Sequence, residues 1–257
     1  MATVELDHIS PTQLSMFFNC GEKYRRRYIE GEKIAPGIAL IKGKSVHVGA
    51  EANHRHKLVE HEDLPIADMA DITAESFEAG LDGEWRAEDG DDPGKSKDGA
   101  VGMIKLWGTH IAPTYQPELV EQGVKVALPG TDTVIKGVLD VADEAGIVRD
   151  LKTGARSKSQ NDADTLLQLT FYSVGYRVLT DKWPSGLRLD SVTDKKCTTL
   201  ETQRTEAQIN AMFAKAWAML QSVKAGIFVP RTADDGNFLC NSRFCGYADS
   251  CPFCEEK

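Results

Sequence analysis

Residues 133–154 read TVIKGVLDVADEAGIVRDLKTG, two β-prone runs separated by the turn residues Asp143, Glu144, Ala145 and Gly146. A turn centred near Ala145 predicts an antiparallel hairpin in which Asp140 and Asp150 stand equidistant from the bend and so become cross-strand neighbours. Directly opposed residues point to one face, with Cβ atoms about 4.5–5.5 Å apart. Lys152, two residues beyond Asp150, shares that face. Two facing carboxylates repel, and a cation between them relieves the repulsion. Oxygen ligands at that spacing suit Mg²⁺ or Mn²⁺, and a nearby lysine can help activate water for attack on phosphorus. Spacing alone also fits a solvent-exposed hairpin whose charges keep its outer face wet. The register is a sensitive inference, because a slip of one residue moves a side chain to the other face.

The surrounding composition permits such a site. With 257 residues, 41% apolar and 27% charged, the chain has the make-up of an ordinary globular protein. A net charge of -9 excludes a surface coated in basic residues. It leaves room for an enzyme that concentrates carboxylates around a metal and keeps its basic residues local. No run of about 18 apolar residues occurs, so no membrane span is expected. The start, MATVELDHISPTQ, has neither a basic opening nor an apolar stretch, so no secretory signal is expected. The expectation is a cytoplasmic protein, in a bacterium or a phage-infected host, whose thiols stay reduced. There is no internal repeat and no clear linker, and a single domain over residues 1–257 is expected.

A helix over 10–29 is predicted by Ser10 as N-cap, Pro11 at the first position and Gln13 completing a capping box. Further helices are expected over 44–60 and 70–115, the latter interrupted by a mobile loop at EDGDDPGKSKDG, residues 88–99. β-type patterning begins at ELVEQGVKVAL (118–128) and continues through the hairpin. Helices return at 163–180 and at 205–225, the second opened by Thr205 and Gln208, and one strand is expected in SGLRLDSVTDKK (185–196) between them. In the first of these helices Gln168 and Tyr172 stand four apart and share a face. The stripe Leu167, Phe171, Val174 and Val178 is expected to dock that helix on the sheet.

Four of the six cysteines lie in CNSRFCGYADSCPFC, residues 240–254, spaced C-x4-C-x5-C-x2-C. Crowded reduced thiols suit zinc or an iron–sulfur cluster. A zinc ribbon has two C-x2-C knuckles and this segment has one. Cys197, alone in DKKCTTLE, reads as a strand thiol.

GVLD followed by DLKTG resembles the D…(D/E)-x-K signature of the PD-(D/E)XK nucleases, in particular their RecB-like branch. QLTFY resembles the branch's Q-x3-Y element at Gln168 and Tyr172, GKSVH its G-x3-H element at Gly43 and His47, and SPTQLSMFFNCGEKYRRRY its opening helix. These elements occur in the family's order from about residue 9 to 254. The resemblance implies an α/β restriction-endonuclease-like core, with a small mixed central sheet flanked by helices. It implies that His47, Asp140, Asp150 and the carbonyl of Leu151 hold Mg²⁺ or Mn²⁺, that Lys152 serves the attacking water, and that Gln168 and Tyr172 support the site or touch DNA. Iron–sulfur members of the branch, among them the AddB nuclease domain and phage and CRISPR-associated exonucleases, place one cysteine before the core and three after it. Cys20 with Cys240, Cys245 and Cys251 is similar to that layout. Cys240 comes two residues early, which leaves Cys254 as an alternative to it, and a 4Fe–4S cluster joining the chain's two ends is favoured over zinc. The implied activity is a DNA exonuclease, with single-stranded DNA as the favoured substrate, KYRRRY (23–28) as a strand contact, and recombination or CRISPR proteins as partners. Two other readings stay open: a catalytically inert nucleic-acid-binding module, and a zinc-stabilised partner-binding protein.

Overall fold

The hairpin forms in the expected register. In a computed structural model that describes residues 6–88, 90–232, 240–242 and 244–254, β3 (Val134–Asp143) and β4 (Ile147–Thr153) are antiparallel. Val141 lies opposite Arg149 and Ala142 opposite Val148, so the same register carried one step on sets Asp140 against Asp150. The bend is local chemistry. The Asp143 carboxylate accepts the N–H of Ala145 at 3.0 Å and of Ile147 at 2.9 Å, and Gly146 takes φ +75°, which a side chain would resist.

The sheet is mixed. β1 (His8–Ile9) runs parallel to the start of β3, β5 (Gly186–Val192) is parallel to β4, and β6 (Cys197–Thr202) is antiparallel to β5. The order is β1-β3-β4-β5-β6, with β2 (Pro117–Ala127) also paired to β3. This is the expected α/β arrangement with two strands more than the sequence pattern suggested. The run at 185–196 stops at Thr193, where Thr193 and Lys196 exchange hydrogen bonds across a turn, and β6 follows with Cys197 at its start.

Two compact units are present, with segments that alternate along the chain: Ala35–Val124 with Val138–Glu206, and Met1–Ile34 with Lys125–Gly137 and Ala207–Lys257. In the first unit α3 (Ile38–Glu60), α4 (Ile66–Asp82) and α5 (Pro93–His110) share an apolar core with the sheet. Val46, Met69, Phe77 and Trp107 meet Leu151 of β4 and Val192 of β5 there. Because Leu151 enters this core, strand alternation turns Asp150 and Lys152 the other way. On that side α6 (Gln160–Thr165) and α7 (Leu167–Thr180) follow, parted at Leu166, whose backbone is extended. α7 buries Leu169 through Tyr176, Phe171 and Val174 of the expected stripe among them, but leaves Val178 54% exposed, so the last member of the stripe does not dock.

Several boundaries differ from expectation for identifiable reasons. α3 begins at Ile38, capped only by the extended Gly37 backbone, a start without a side-chain signal. Within the expected loop at 88–99, of which Asp89 lies outside the described residues, Asp92 accepts the N–H of Lys95 and Pro93 opens α5.

In the second unit the first helix carries its capping box at Ser10 and Gln13 but divides. α1 (Pro11–Asn19) ends at Cys20, which is extended and whose sulfur caps α2 (Gly21–Tyr24) through the Lys23 N–H at 3.5 Å. A π-helical turn, Arg25–Ile29, continues the chain. Tyr24 is buried and stacks on Phe228, and the N–H of Gly21 donates to Val229 at 2.8 Å. The last long helix is α8 (Glu206–Lys224). Arg26 joins the two ends of the chain: it donates to the carbonyl of Tyr247 at 3.3 Å and to Ser250 at 2.9 Å, and lies over the Tyr247 ring. Tyr247 answers with a hydroxyl donated to the Glu32 carbonyl at 2.7 Å.

Candidate active site

β3, β4 and α7 bring five of the named residues into one hydrogen-bonded circuit, open only between the two carboxylates. Lys152 Nζ donates to Asp150 Oδ1 at 2.9 Å and to Gln168 Oε1 at 2.8 Å. The Gln168 amide donates to the Tyr172 hydroxyl at 2.5 Å, and that hydroxyl donates to Asp140 Oδ1 at 2.5 Å. The four-residue spacing on α7 stacks the amide above the phenol. The chain therefore fixes both carboxylates and the lysine without help from any ligand.

His47 approaches from α3. A Cβ on Gly43 would stand 2.9 Å from Thr153 Oγ1, so the missing side chain lets α3 lie close to the end of β4. One turn later His47 lies close to the backbone of Leu151 and feels the charges of Asp140 and Lys152. Burial, seconded by Lys152, holds its imidazole below the usual pKa, against the pull of Asp140. It is thus kept neutral, the form that ligates metals.

Electrostatics mark this spot as short of a cation. Asp150 is fully buried, and desolvation pushes its pKa up to about 7, with Asp140 adding to the rise and Lys152 opposing it. Its Oδ2 has no hydrogen-bond partner, and a buried carboxylate oxygen left so is costly. Burial also raises the Tyr172 hydroxyl, with the two aspartates behind it, so the phenol remains a donor.

Glu121 was not foreseen. It sits on β2 with φ +48°, an unusual conformation for a non-glycine residue. Burial, then Asp140 and Glu51, push its pKa up to about 7. Glu121 and Asp140 line a narrow cavity of about 20 Å³ with His47, Tyr115 and Arg149, room for about one water. Its only trace in the sequence is an acid in a β-type run. Arg149, on the far face of β4, is 1% exposed and reaches Asp143 at 3.4 Å and Asp190 at 3.3 Å, with its guanidinium 4.0 Å from the Tyr115 ring centre. It anchors the strand that carries Asp150.

Of the six cysteines, Cys240 lies near Cys254, Cys251 and Cys245; desolvation first, then these neighbours, push its pKa up to about 12. Cys254, the alternative to Cys240, lies beside it. Cys20 is engaged with Lys23, and Cys197 points its thiol at the Leu106 carbonyl, 3.7 Å away. Among the described residues no three His, Cys, Asp or Glu side chains already converge as a finished ligand set.

The profile of the PD-(D/E)XK nuclease superfamily matches residues 8–252. The chain belongs to the PD-(D/E)XK nuclease superfamily. This PD-(D/E)XK nuclease is similar in fold to a crystal structure from Eubacterium rectale that carries the provisional name exonuclease, with a TM-score of 0.59 and 13% identity over 98% of this chain and 90% of that one. The solved structure of SSO0001 aligns with a TM-score of 0.47 and 15% identity over 100% of this chain and 91% of that one, too loosely to build on. No curated protein sequence matches the chain. Members of this superfamily typically use divalent metals to cut nucleic acids, and among the described residues no helix is long and apolar enough to cross a membrane.

Proposed function

We propose that this protein is a Mg²⁺- or Mn²⁺-dependent DNA exonuclease acting on single-stranded DNA, built as one nuclease domain over residues 1–257 with a structural 4Fe–4S cluster. The observation that carries the catalytic reading is the hydrogen-bonded circuit from Asp140 through Tyr172, Gln168 and Lys152 to Asp150, with the unpartnered Oδ2 of Asp150 beside it. The donor set fits a divalent ion: Asp140, Asp150, the Leu151 carbonyl and the neutral imidazole of His47 would hold it. Such an ion supplies a Lewis acid for the phosphate and lowers the pKa of water. The chain's own residues do the rest. Lys152, held between Asp150 and Gln168, places a positive charge where negative charge grows on phosphorus and offers a hydrogen bond to the attacking water. Tyr172 and Gln168 orient that lysine and Asp140. A nitrogen donor at His47 favours Mn²⁺ over Mg²⁺.

The thiols of Cys20, Cys240, Cys245 and Cys251, with Cys254 as the alternative to Cys240, suit a soft metal. Iron–sulfur is favoured over zinc because the segment has one C-x2-C knuckle. One experiment tests both halves. Anaerobically purified protein should contain about four irons per chain and should shorten end-labelled single-stranded DNA stepwise with Mn²⁺, not with chelator. Absence of cleavage with either metal refutes the nuclease; stoichiometric zinc without iron refutes the cluster.

A further inference from the structure

We propose that the groove between α3 and α4 is a nucleobase subsite, which receives the base of the nucleotide next to the phosphate held at His47 and Asp140; this rests on the nuclease reading above. The groove has a volume of about 500 Å³ and is walled by Leu40, Ile41, Val48, Ala79 and Gly80, with Lys44 at its side. That volume lies in the range of about 300–1,000 Å³ typical of small-molecule sites.

Its position on α3 ties it to the catalytic centre. At 100° per residue Leu40, Lys44 and His47 fall within ~60° of one another on the helix, and each is about one turn, ~5 Å, from the next along the axis. A strand whose phosphate is held at His47 and which runs toward the N-terminus of α3 therefore meets Lys44 and then the groove. The walls suit the face of a base. A Cβ on Gly80 would stand 2.6 Å from Ile41 Cγ2, so the two helices close tightly beneath an open apolar shelf. Leu40 at its rim is 67% exposed, an apolar surface left in water. Charge agrees: Lys42 is tied to Asp194 at 2.5 Å, whereas Lys44 is exposed and makes no ion pair among the described residues. A phosphate of the same strand would supply its partner. A lipid or an apolar peptide would explain the shelf but not the exposed lysine that stands on α3 between Leu40 and His47.

The test is a binding scan by fluorescence anisotropy, with Ca²⁺ in place of Mg²⁺ to prevent cleavage. Fluorescein-labelled oligothymidylates are compared with the same strands carrying one abasic residue, moved position by position from the end. The wild type should lose affinity about tenfold at one position and little elsewhere, a loss in the range of single-base contacts. Ala79→Phe, which projects a ring into the groove from an exposed site, should bind intact DNA as weakly as the wild type binds that abasic strand and no longer tell the two apart. Lys44→Ala should reduce the salt dependence of binding by about one phosphate contact. Equal wild-type affinity for intact and abasic strands at every position overturns the subsite, as does an Ala79→Phe variant that keeps the abasic effect. If the base effect is absent while Mn²⁺-dependent cleavage proceeds, only the subsite is wrong. If the effect is present and nothing is cleaved, the subsite stands and the nuclease reading falls.

Discussion

The carboxylate centre and the cysteine segment both gather groups that repel when ionised, yet they hold their shapes by different means. Around Asp140 and Asp150 the protein supplies its own frame: a lysine, an amide and a phenol joined by hydrogen bonds, on two strands and one helix. The described residues of 240–254 have only short turns and one 3-10 turn at Ala248–Ser250. Their order comes from Tyr247 and Ser250, which Arg26 grips. A metal at the first centre would meet a frame already held by hydrogen bonds and serve chemistry. At the second it would complete the fold, since ligands carried by turns are ordered at the expense of binding energy.

The largest effect should appear where the frame touches the reaction. Asp140→Ala and Lys152→Ala should each lower cleavage about a thousandfold or more. Asp140→Ala should melt near the wild-type temperature, whereas Lys152→Ala, which leaves the buried Asp150 carboxylate without its partner, should melt somewhat lower. For Asp140→Ala the melting temperature should even rise slightly as repulsion on Asp150 is relieved. Unfolding of both variants at room temperature would erase the contrast between a self-supporting centre and a metal-dependent one.

Cysteine substitutions should show the opposite signature. Cys245→Ser should strip the soft metal and lower the unfolding free energy by about 3–5 kcal/mol, the scale of a lost cross-link, while Cys197→Ser changes neither. Cys20→Ser and Cys254→Ser, scored by iron content, sharpen the comparison. Loss in the first identifies a link between chain ends, and loss in the second a local set in the turns.

Tyr172→Phe removes one hydroxyl from the circuit and leaves the ring buried. Activity should fall about 10–100-fold, the usual cost of losing a group that orients a ligand, and Mn²⁺ titration should show weaker half-saturation. Unchanged kinetics would mean that the phenol is packing alone.

The smallest effect is a slope. Asp150 holds a proton up to a pKa of about 7, raised by burial and by Asp140, so a cation must displace that proton at lower pH. Mn²⁺ affinity, read by calorimetry, should rise about tenfold per pH unit up to neutrality and then level off. In Asp150→Asn the slope should flatten. The sign follows from the raised carboxylate: the protonated form competes with metal below pH 7 and vanishes above it.

The hairpin was legible because its information is local. A turn at Asp143–Gly146 fixes which residues oppose each other, and a period of two fixes which face they share. The capping box at Ser10 and Gln13 and the four-residue spacing of Gln168 and Tyr172 are local in the same sense. Other features needed the tertiary structure. Glu121 is polar in a strand pattern and gains meaning only because β2 turns it, at φ +48°, toward Asp140. Arg149 reads as a surface charge within a strand until Asp143, Asp190 and Tyr115 bury it. Cys20 looks like a helix residue, yet its extended backbone ends one helix and caps the next. Spacing along the chain determines which neighbours a residue can have. Burial and the charges brought close by packing decide what those neighbours do to it, because desolvation and Coulomb energies depend on distance in space rather than in sequence.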